Sequence, residues 1–275
     1  MHQSVRIVAV GDRPLRVAVR SGDGTRTPLL LANGIGASLE VLQPFVDALH
    51  GSIEVIRFDI PGAGGSPLPR RPYRLPALAG LVARLLDQLD HSVVDVLGVS
   101  WGGGLAQQFA FSHRRRCRRL VLAATSPGTL MVPGHPKVLA RLVTPRRYLD
   151  PGYAERIAAD LYGGSMRADP TRALALLHGR TGVGPRRGYL YQLAAGAGWS
   201  SLPFLPLIGQ PTLLLAGDDD PIIPLLNARL MRCLLPDARL HVYHGDHLGL
   251  LTEAAELAPV VDEFLRRDQE TRTPT

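Results

Sequence analysis

Lysine is almost absent from this 275-residue chain: Lys137 is the only one. It follows Pro136, so no Gly-Lys-Ser/Thr phosphate loop exists, and phosphoryl transfer of that type is excluded. Cysteine is nearly as scarce. Cys117 and Cys233 lie far apart, in sequence that reads as helical or connecting, and two thiols make neither a disulfide framework nor a Cys-rich zinc site. Aromatic residues are only 5%, too few for platforms that stack nucleic-acid bases. Residues 188–217 carry no charge, but Gly196, Gly198, Pro203, Pro206, Gly209 and Pro211 interrupt them, so no transmembrane span is expected. The first ten residues alternate briefly around Arg6 and form no secretory apolar stretch. A reducing, cytoplasmic setting is the expectation.

What is present points to a folded enzyme-sized domain. A hydrophobic fraction of 45% against 20% charged allows a large core and excludes disorder. The 29 glycines and 23 prolines imply many tight loops, without a Gly-X-Y period or a low-complexity tract. The net charge of +7 is almost wholly arginine. Arg114, Arg115, Arg116, Arg118 and Arg119 form a basic run expected at a helix end, where arginine complements the helix dipole. No nucleic-acid-binding motif accompanies it, so a nucleic-acid partner is not expected.

Four short apolar runs read as strands buried on both faces, as in a parallel sheet. They are Pro28-Leu-Leu-Leu-Ala32, Val93-Val-Asp-Val-Leu97, Leu120-Val-Leu-Ala123 and Thr212-Leu-Leu-Leu-Ala216. A fifth, Ile53-Glu-Val-Ile-Arg-Phe58, alternates more, and residues 6–20 suggest an antiparallel ribbon turning near Gly11-Asp12. Leu78, Leu81, Val82, Leu85, Leu86 and Leu89 share one helical face, as do Leu257, Val260, Val261, Phe264 and Leu265. This alternation predicts an α/β fold, a mostly parallel sheet flanked by helices. The third and fourth apolar strands are separated by a segment far longer than a simple connection. Residues 127–208 are therefore expected to be an inserted helical lid on a core built from 1–126 and 209–275. Tyr148, Tyr153, Tyr162, Tyr189, Tyr191 and Trp199 fall in it, either facing a cleft or filling a small core of its own.

The chemistry concentrates at strand ends. Gly98-Val-Ser-Trp-Gly102 lies after a buried strand and before a glycine-rich helical pattern, the setting of a nucleophile elbow. A serine on so sharp a turn has strained dihedrals, and glycine at 98 and 102 removes Cβ atoms that would crowd the backbone. Ser100 is thus the candidate nucleophile, and it needs a base oriented by an acid. The fourth apolar strand runs into Gly217-Asp-Asp-Asp-Pro221; Asp220 is best placed on that loop, with Asp219 the alternative. His241, His244 and His247 follow. His241 sits in a strand, whereas His247 precedes the C-terminal helix and is the better base. Ser…Asp…His is a chain order known for such relays. The three histidines lack His-Glu-x-x-His spacing, and positions i and i+3 of an extended segment face opposite ways, so no metal site is expected. No cofactor is implied. Two backbone donors are expected to hold an oxyanion: the amide of Trp101, next to the serine, and that of Ile35 in Asn33-Gly-Ile-Gly36. The glycine-rich segment from Asp59 to Ser66 makes no dinucleotide fingerprint and reads as a structural turn.

From about residue 27 to 265 the sequence resembles the α/β-hydrolase superfamily. More narrowly it is similar to intracellular poly(3-hydroxyalkanoate) depolymerases that act on medium-chain polyesters. The likeness rests on Asn33-Gly-Ile-Gly-Ala-Ser-Leu-Glu40, Phe58-Asp-Ile-Pro-Gly-Ala-Gly-Gly-Ser66, Gly98-Val-Ser-Trp-Gly-Gly103, Met131-Val-Pro-Gly134, Pro145-Arg-Arg-Tyr148 and Gly217-Asp-Asp-Asp-Pro221. The depolymerase branch shares asparagine at position 33, where the superfamily commonly has histidine. The family's nucleophile, acid and base fall on Ser100, Asp220 and His247. Asp246 and Gly249 depart from its pattern, which has glycine and a bulkier residue there, and both are expected to reshape the pocket. The resemblance implies a serine esterase that hydrolyses 3-hydroxyacyl esters. Related polymer synthases carry cysteine at the elbow, so Ser100 favours depolymerisation. A hydrophobic polyester or acyl-ester substrate is implied, with granule association through an apolar surface in residues 188–217 that includes Trp199 and Phe204. The competing readings are a hydrolase of small esters or carbon–carbon bonds on the same scaffold, and a non-catalytic binding protein, which the intact Ser, His and Asp set disfavours.

Overall fold

The computed structural model describes residues 3–177 and 184–266. Its frame is an eight-stranded sheet: β1 (Gln3–Val10), β2 (Arg13–Arg20), β3 (Leu29–Ala32), β4 (Val55–Phe58), β5 (Val94–Val99), β6 (Cys117–Ala123), β7 (Thr212–Gly217) and β8 (Ala238–Tyr243). The spatial order is β1-β2-β4-β3-β5-β6-β7-β8. β1 and β2 form the expected antiparallel ribbon, turning at Gly11-Asp12, and β2 pairs antiparallel with β4. From β4 to β8 every pairing is parallel. The carboxyl ends of β3, β5, β7 and β8 therefore open on the same edge, which places the loops that follow them side by side.

The continuous apolar runs are explained by burial on both faces. Alternate residues of β3, Leu30 and Ala32, join one core cluster, while Leu29 and Leu31 join another. The helices that cover these faces are α1 (Gln43–Ala48), α2 (Leu75–Gln88), α3 (Trp101–Ser112), α10 (Leu226–Leu234), α11 (Gly249–Thr252) and α12 (Ala254–Arg266). The leucine face of α2 and Phe109 of α3 pack on one side, and Phe45 of α1 with Val261 and Leu265 of α12 on the other. Each such leucine contributes roughly 1.5–3 kcal/mol on leaving water.

Among the described residues between β6 and β7 lie six α-helices, α4 (Pro136–Arg141), α5 (Arg146–Leu149), α6 (Pro151–Tyr162), α7 (Ser165–Ala168), α8 (Arg172–Leu177) and α9 (Arg186–Gly196), and a short 3-10 turn at Leu205–Leu207. They share a small core in which Tyr148, Tyr162 and Tyr189 pack with Val138, Ile157 and Leu161. These three tyrosines fill that core, Tyr191 and Trp199 pack against the main one instead, and Tyr148 and Tyr162 also wall a cavity described below.

Three expectations change. Arg118 and Arg119 belong to β6 and not to a helix end; Arg118 Nε donates to Asp95 Oδ1 at 2.9 Å, and Arg119 is buried beneath the Phe264 ring. Arg116 donates to the carbonyls of Ala83 and His91, so much of the run serves the fold. Cys117 opens β6 and is buried, while Cys233 is exposed on α10. The uncharged stretch 188–217 is not a free apolar surface, because it ends in β7, whose six residues are all buried. Phe204 stacks on Phe111 at 4.4 Å, and Trp199 Nε1 donates to Gln108 Oε1 at 2.8 Å. Both aromatics are held against α3.

Candidate active site

Ser100 stands alone between β5 and α3 with φ 52° and ψ −120°, a conformation that L residues avoid. The neighbours enforce it. Ser100 N–H donates to Ala123 O at 2.9 Å, and its carbonyl accepts from Thr125 Oγ1–H at 2.6 Å. A Cβ on Gly98 would meet Ala106 Cβ at 2.6 Å, and one on Gly102 would meet the backbone of Asn33 at 2.5 Å. The two glycines are there because strand, helix and the loop after β3 approach too closely for any side chain.

Ser100, Asp220 and His247, far apart in sequence, are brought into one chain of hydrogen bonds. His247 Nε2 lies 3.0 Å from Ser100 Oγ, and His247 Nδ1 lies 2.7 Å from Asp220 Oδ2. Asp220 Oδ1 accepts from the amides of Ile222 and Ile223, each at 2.9 Å, which fixes the carboxylate without blocking the oxygen toward the ring. The His247 amide donates to Tyr162 O of α6 at 3.1 Å, so the helical segment holds the loop that carries the imidazole.

The other candidates have different partners. Asp219 accepts from Arg167 Nε at 2.9 Å and from Gly164 N–H at 2.7 Å, and the Arg167 hydrogen bond holds its carboxyl below the usual carboxylate range. Among the described residues it makes no hydrogen bond to a histidine ring. Asp218 accepts from Gly245 N–H and faces exposed His244 at 2.9 Å. That hydrogen bond lowers the Asp218 carboxyl and raises the His244 ring from their ordinary values. His241 lies within β8, paired with Leu215. Among the described residues, no group of three or more His, Cys, Asp or Glu side chains could hold a metal ion.

Two amides flank Ser100. In the loop after β3, Gly34 N–H is taken by Asn33 Oδ1, Gly36 N–H by Gln192 Oε1 and Ala37 N–H by Gly34 O. Ile35 N–H has no hydrogen-bond partner among the described residues, and neither does Trp101 N–H at the start of α3. Both are available to an anion, at a helix N-terminus whose dipole favours one.

Ser100 lies where two mostly apolar cavities meet. One is lined by His247, Val41, Leu250, Tyr148 and Tyr162; the other by Trp101, Met131, Leu139, Trp199 and Ile223. Ile35, Leu142 and Ile222 line both. Asp246 and Gly249, expected to reshape the pocket, line neither. A Cβ on Gly249 would run into the Tyr243 ring, which occupies that space. Buried Asp246 accepts from Ser165 Oγ–H and Leu248 N–H, each at 2.7 Å, and burial pushes its carboxyl up.

Several contributors were not singled out from sequence. Tyr148 was visible as one of the aromatics of the inserted segment and in Pro145-Arg-Arg-Tyr148, with no sign of a contact to the loop after β3. Gln192 carries no local signal beyond being a polar residue in an uncharged stretch, yet it is wholly buried. Comparison with known proteins gives a consistent picture. A family model described as alpha/beta hydrolase fold matches residues 27–187. The chain is 52% identical over 266 residues to the poly(3-hydroxyalkanoate) depolymerase of Ectopseudomonas oleovorans, covering 96% of this chain and 93% of that one. It is 27% identical to the pimeloyl-[acyl-carrier protein] methyl ester esterase of Aeromonas hydrophila, over 88% of this chain and 96% of that one. Among solved structures, an enol-lactonase from Burkholderia xenovorans superposes with a TM-score of 0.80 at 24% identity, covering 94% of this chain and 99% of the other.

Proposed function

The chain belongs to the alpha/beta hydrolase family, and from that premise we propose that it is a serine esterase which hydrolyses an aliphatic 3-hydroxyalkanoate polyester. The observation that carries this reading is the unbroken relay from Ser100 Oγ through His247 to Asp220, at 3.0 and 2.7 Å. With the Nδ1 proton directed to Asp220, Nε2 is left to accept the Ser100 proton as Oγ attacks the ester carbonyl. The Ile35 and Trp101 amides meet the oxygen as it becomes negative. On collapse the C–O bond to the chain alcohol breaks, His247 returns the proton to that oxygen, and an acyl ester remains on Ser100. Water then enters, gives a proton to His247 and attacks the acyl carbon; the acyl C–Oγ bond breaks, His247 returns the proton to Ser100 Oγ, and a carboxylic acid is released.

The identity with the depolymerase supports the polyester as substrate, and the apolar linings on both sides of Ser100 suit a chain that continues in two directions from the scissile bond. On this reading residues 127–208 act as a lid over the core formed by 1–126 and 209–275. The enzyme then works in the cytoplasm at the surface of polyester granules. Among the described residues no helix is long and apolar enough to cross a membrane. One observation favours a smaller substrate: Tyr148, Tyr162 and Leu142 from the helical segment wall the cavity beside His247, leaving a narrow space there.

The test is a pair of assays. A fluorophosphonate probe is expected to label the protein and to fail on Ser100→Ala. A latex of medium-chain polyester is expected to clear, and p-nitrophenyl octanoate to be hydrolysed. Turnover of the soluble ester without clearing would move the reading to small esters. Activity that survives in Ser100→Ala would end it.

A further inference from the structure

The two uncommitted amides beside Ser100 come from different parts of the fold, the loop after β3 and the first turn of α3. A pair of donors is useful only if the distance between them is held. Gln192 bonds to both elements. It lies on α9 of the helical segment and accepts from Gly36 N–H with its side-chain Oε1 at 2.8 Å. Its backbone carbonyl accepts from the Trp101 indole Nε1–H at 2.9 Å. The same peptide unit, from Ile35 to Gly36, is gripped at its other end, where Tyr148 Oη–H donates to Ile35 O at 2.8 Å. Gly36 has φ +74°, and a Cβ there would sit 2.8 Å from Tyr148 Cε2 and from Tyr189 Cδ2, so glycine is what lets the rings close on this loop.

The condition of Gln192 argues that the grip has a purpose beyond packing. The residue is 0% exposed, yet its Nε2 has no hydrogen-bond partner. An unsatisfied amide nitrogen in the interior is unfavourable, and a methionine of similar shape would avoid it. What methionine supplies only weakly, through its thioether sulfur, is an acceptor for Gly36 N–H. The amide orientation is forced, since an N–H donor can only be met by Oε1.

We infer that Gln192 is a positioning residue of the oxyanion site, setting the Ile35 amide against the Trp101 amide from the lid side. The inference rests on the donor roles proposed above for Ile35 and Trp101. It makes the helical segment a structural part of the catalytic apparatus as well as a cover: whatever moves α9 moves the donors.

The experiment compares wild type, Gln192→Met and Tyr148→Phe on p-nitrophenyl octanoate, with a boronic acid that forms a tetrahedral adduct on serine as the second readout. Loss of a whole oxyanion donor costs about 100–1000-fold, and a displaced one less, so Gln192→Met is expected to lower kcat roughly 10–100-fold. KM should stay within about twofold, and boronate affinity should fall by about the same factor as kcat. Tyr148→Phe, which keeps the ring, is expected to act in the same direction, and the double variant to lose less than the product of the two because both hold one peptide. A purely structural role would lower the melting temperature without a selective loss of boronate affinity, and that result overturns the inference. So does an unchanged kcat, or a loss confined to KM. Should Gln192→Met fail to fold, Tyr148→Phe carries the same readouts. If Ser100→Ala is inactive while both variants match wild type, this inference fails and the esterase reading stands; activity in Ser100→Ala would remove the reading itself.

Discussion

Asp218, Asp219 and Asp220 share one loop and one side-chain chemistry, yet each carboxylate meets a different donor: His244 with Gly245, Arg167 with Gly164, and His247 with two backbone amides. On the proposed reading only the third matters to the reaction step. Asp220→Asn is expected to cut kcat by on the order of 1000–10000-fold, because an amide at that position favours the wrong imidazole tautomer. Asp219→Asn removes an ion pair whose members are about half exposed, worth about 0–1 kcal/mol after solvent screening. Its turnover should stay within about tenfold of wild type. Steady-state kinetics on p-nitrophenyl octanoate decide the matter, and the reverse ranking would transfer the acid role to Asp219. Spacing after Gly217 ranked Asp220 first on this loop but left Asp219 open. Only the direction of the chain past Gly217 separates them.

At the scale of elements, β5 and β6 are joined by more than their ladder. Asp95, on β5, is 0% exposed and takes two hydrogen bonds from Arg118 on β6. Burial is the larger influence and the arginine opposes it, leaving the carboxyl pushed up to about 6. The folded protein then binds a proton that the unfolded chain releases near pH 4, so this group's contribution to stability is lost as pH rises from about 4 to about 6. The change is on the order of 3 kcal/mol for a shift of about two units. Urea unfolding of wild type and Asp95→Asn at several pH values from 4 to 7 measures it. The difference between the two should change in that window, and a difference that stays constant would refute the assignment. The strands themselves were readable because burial on both faces leaves continuous apolar runs, and the elbow because its two glycines and serine stand at a short fixed spacing between a strand and a helix pattern. The ion pair was not, since an arginine before a strand looks the same whether it faces water or a partner strand.

Across the whole molecule, the helical segment is stitched to the loops that carry Asp220 and His247. Tyr162 O accepts from His247 N–H, Ser165 donates to Asp246, and Arg167 with Gly164 binds Asp219. The site residues therefore depend on a segment more than fifty positions away from them. Ser165→Ala leaves the buried Asp246 carboxyl short of a donor, which costs about 1–3 kcal/mol. The melting temperature is expected to fall by roughly 3–10 °C on that account. Ester turnover should fall with it, because Asp246 adjoins His247. Calorimetry and a kinetic assay check both, and a variant indistinguishable from wild type in each would show that this stitch is idle.

What the sequence by itself determined was what depends on short spacing, namely apolar runs for strands, leucine faces for helices and two glycines around a serine, together with the chain order of Ser100, Asp220 and His247. The sequence ranked Asp220 and His247 first; that they meet in one hydrogen-bond chain, and that Gln192 and Tyr148 grip the loop beside Ser100, were decided only by tertiary structure. The physical reason is range. Backbone sterics and hydrophobic periodicity act over a few residues and leave a local trace. Hydrogen bonds between positions 36 and 192, or 100 and 247, exist only once the sheet has brought its strand ends to one edge.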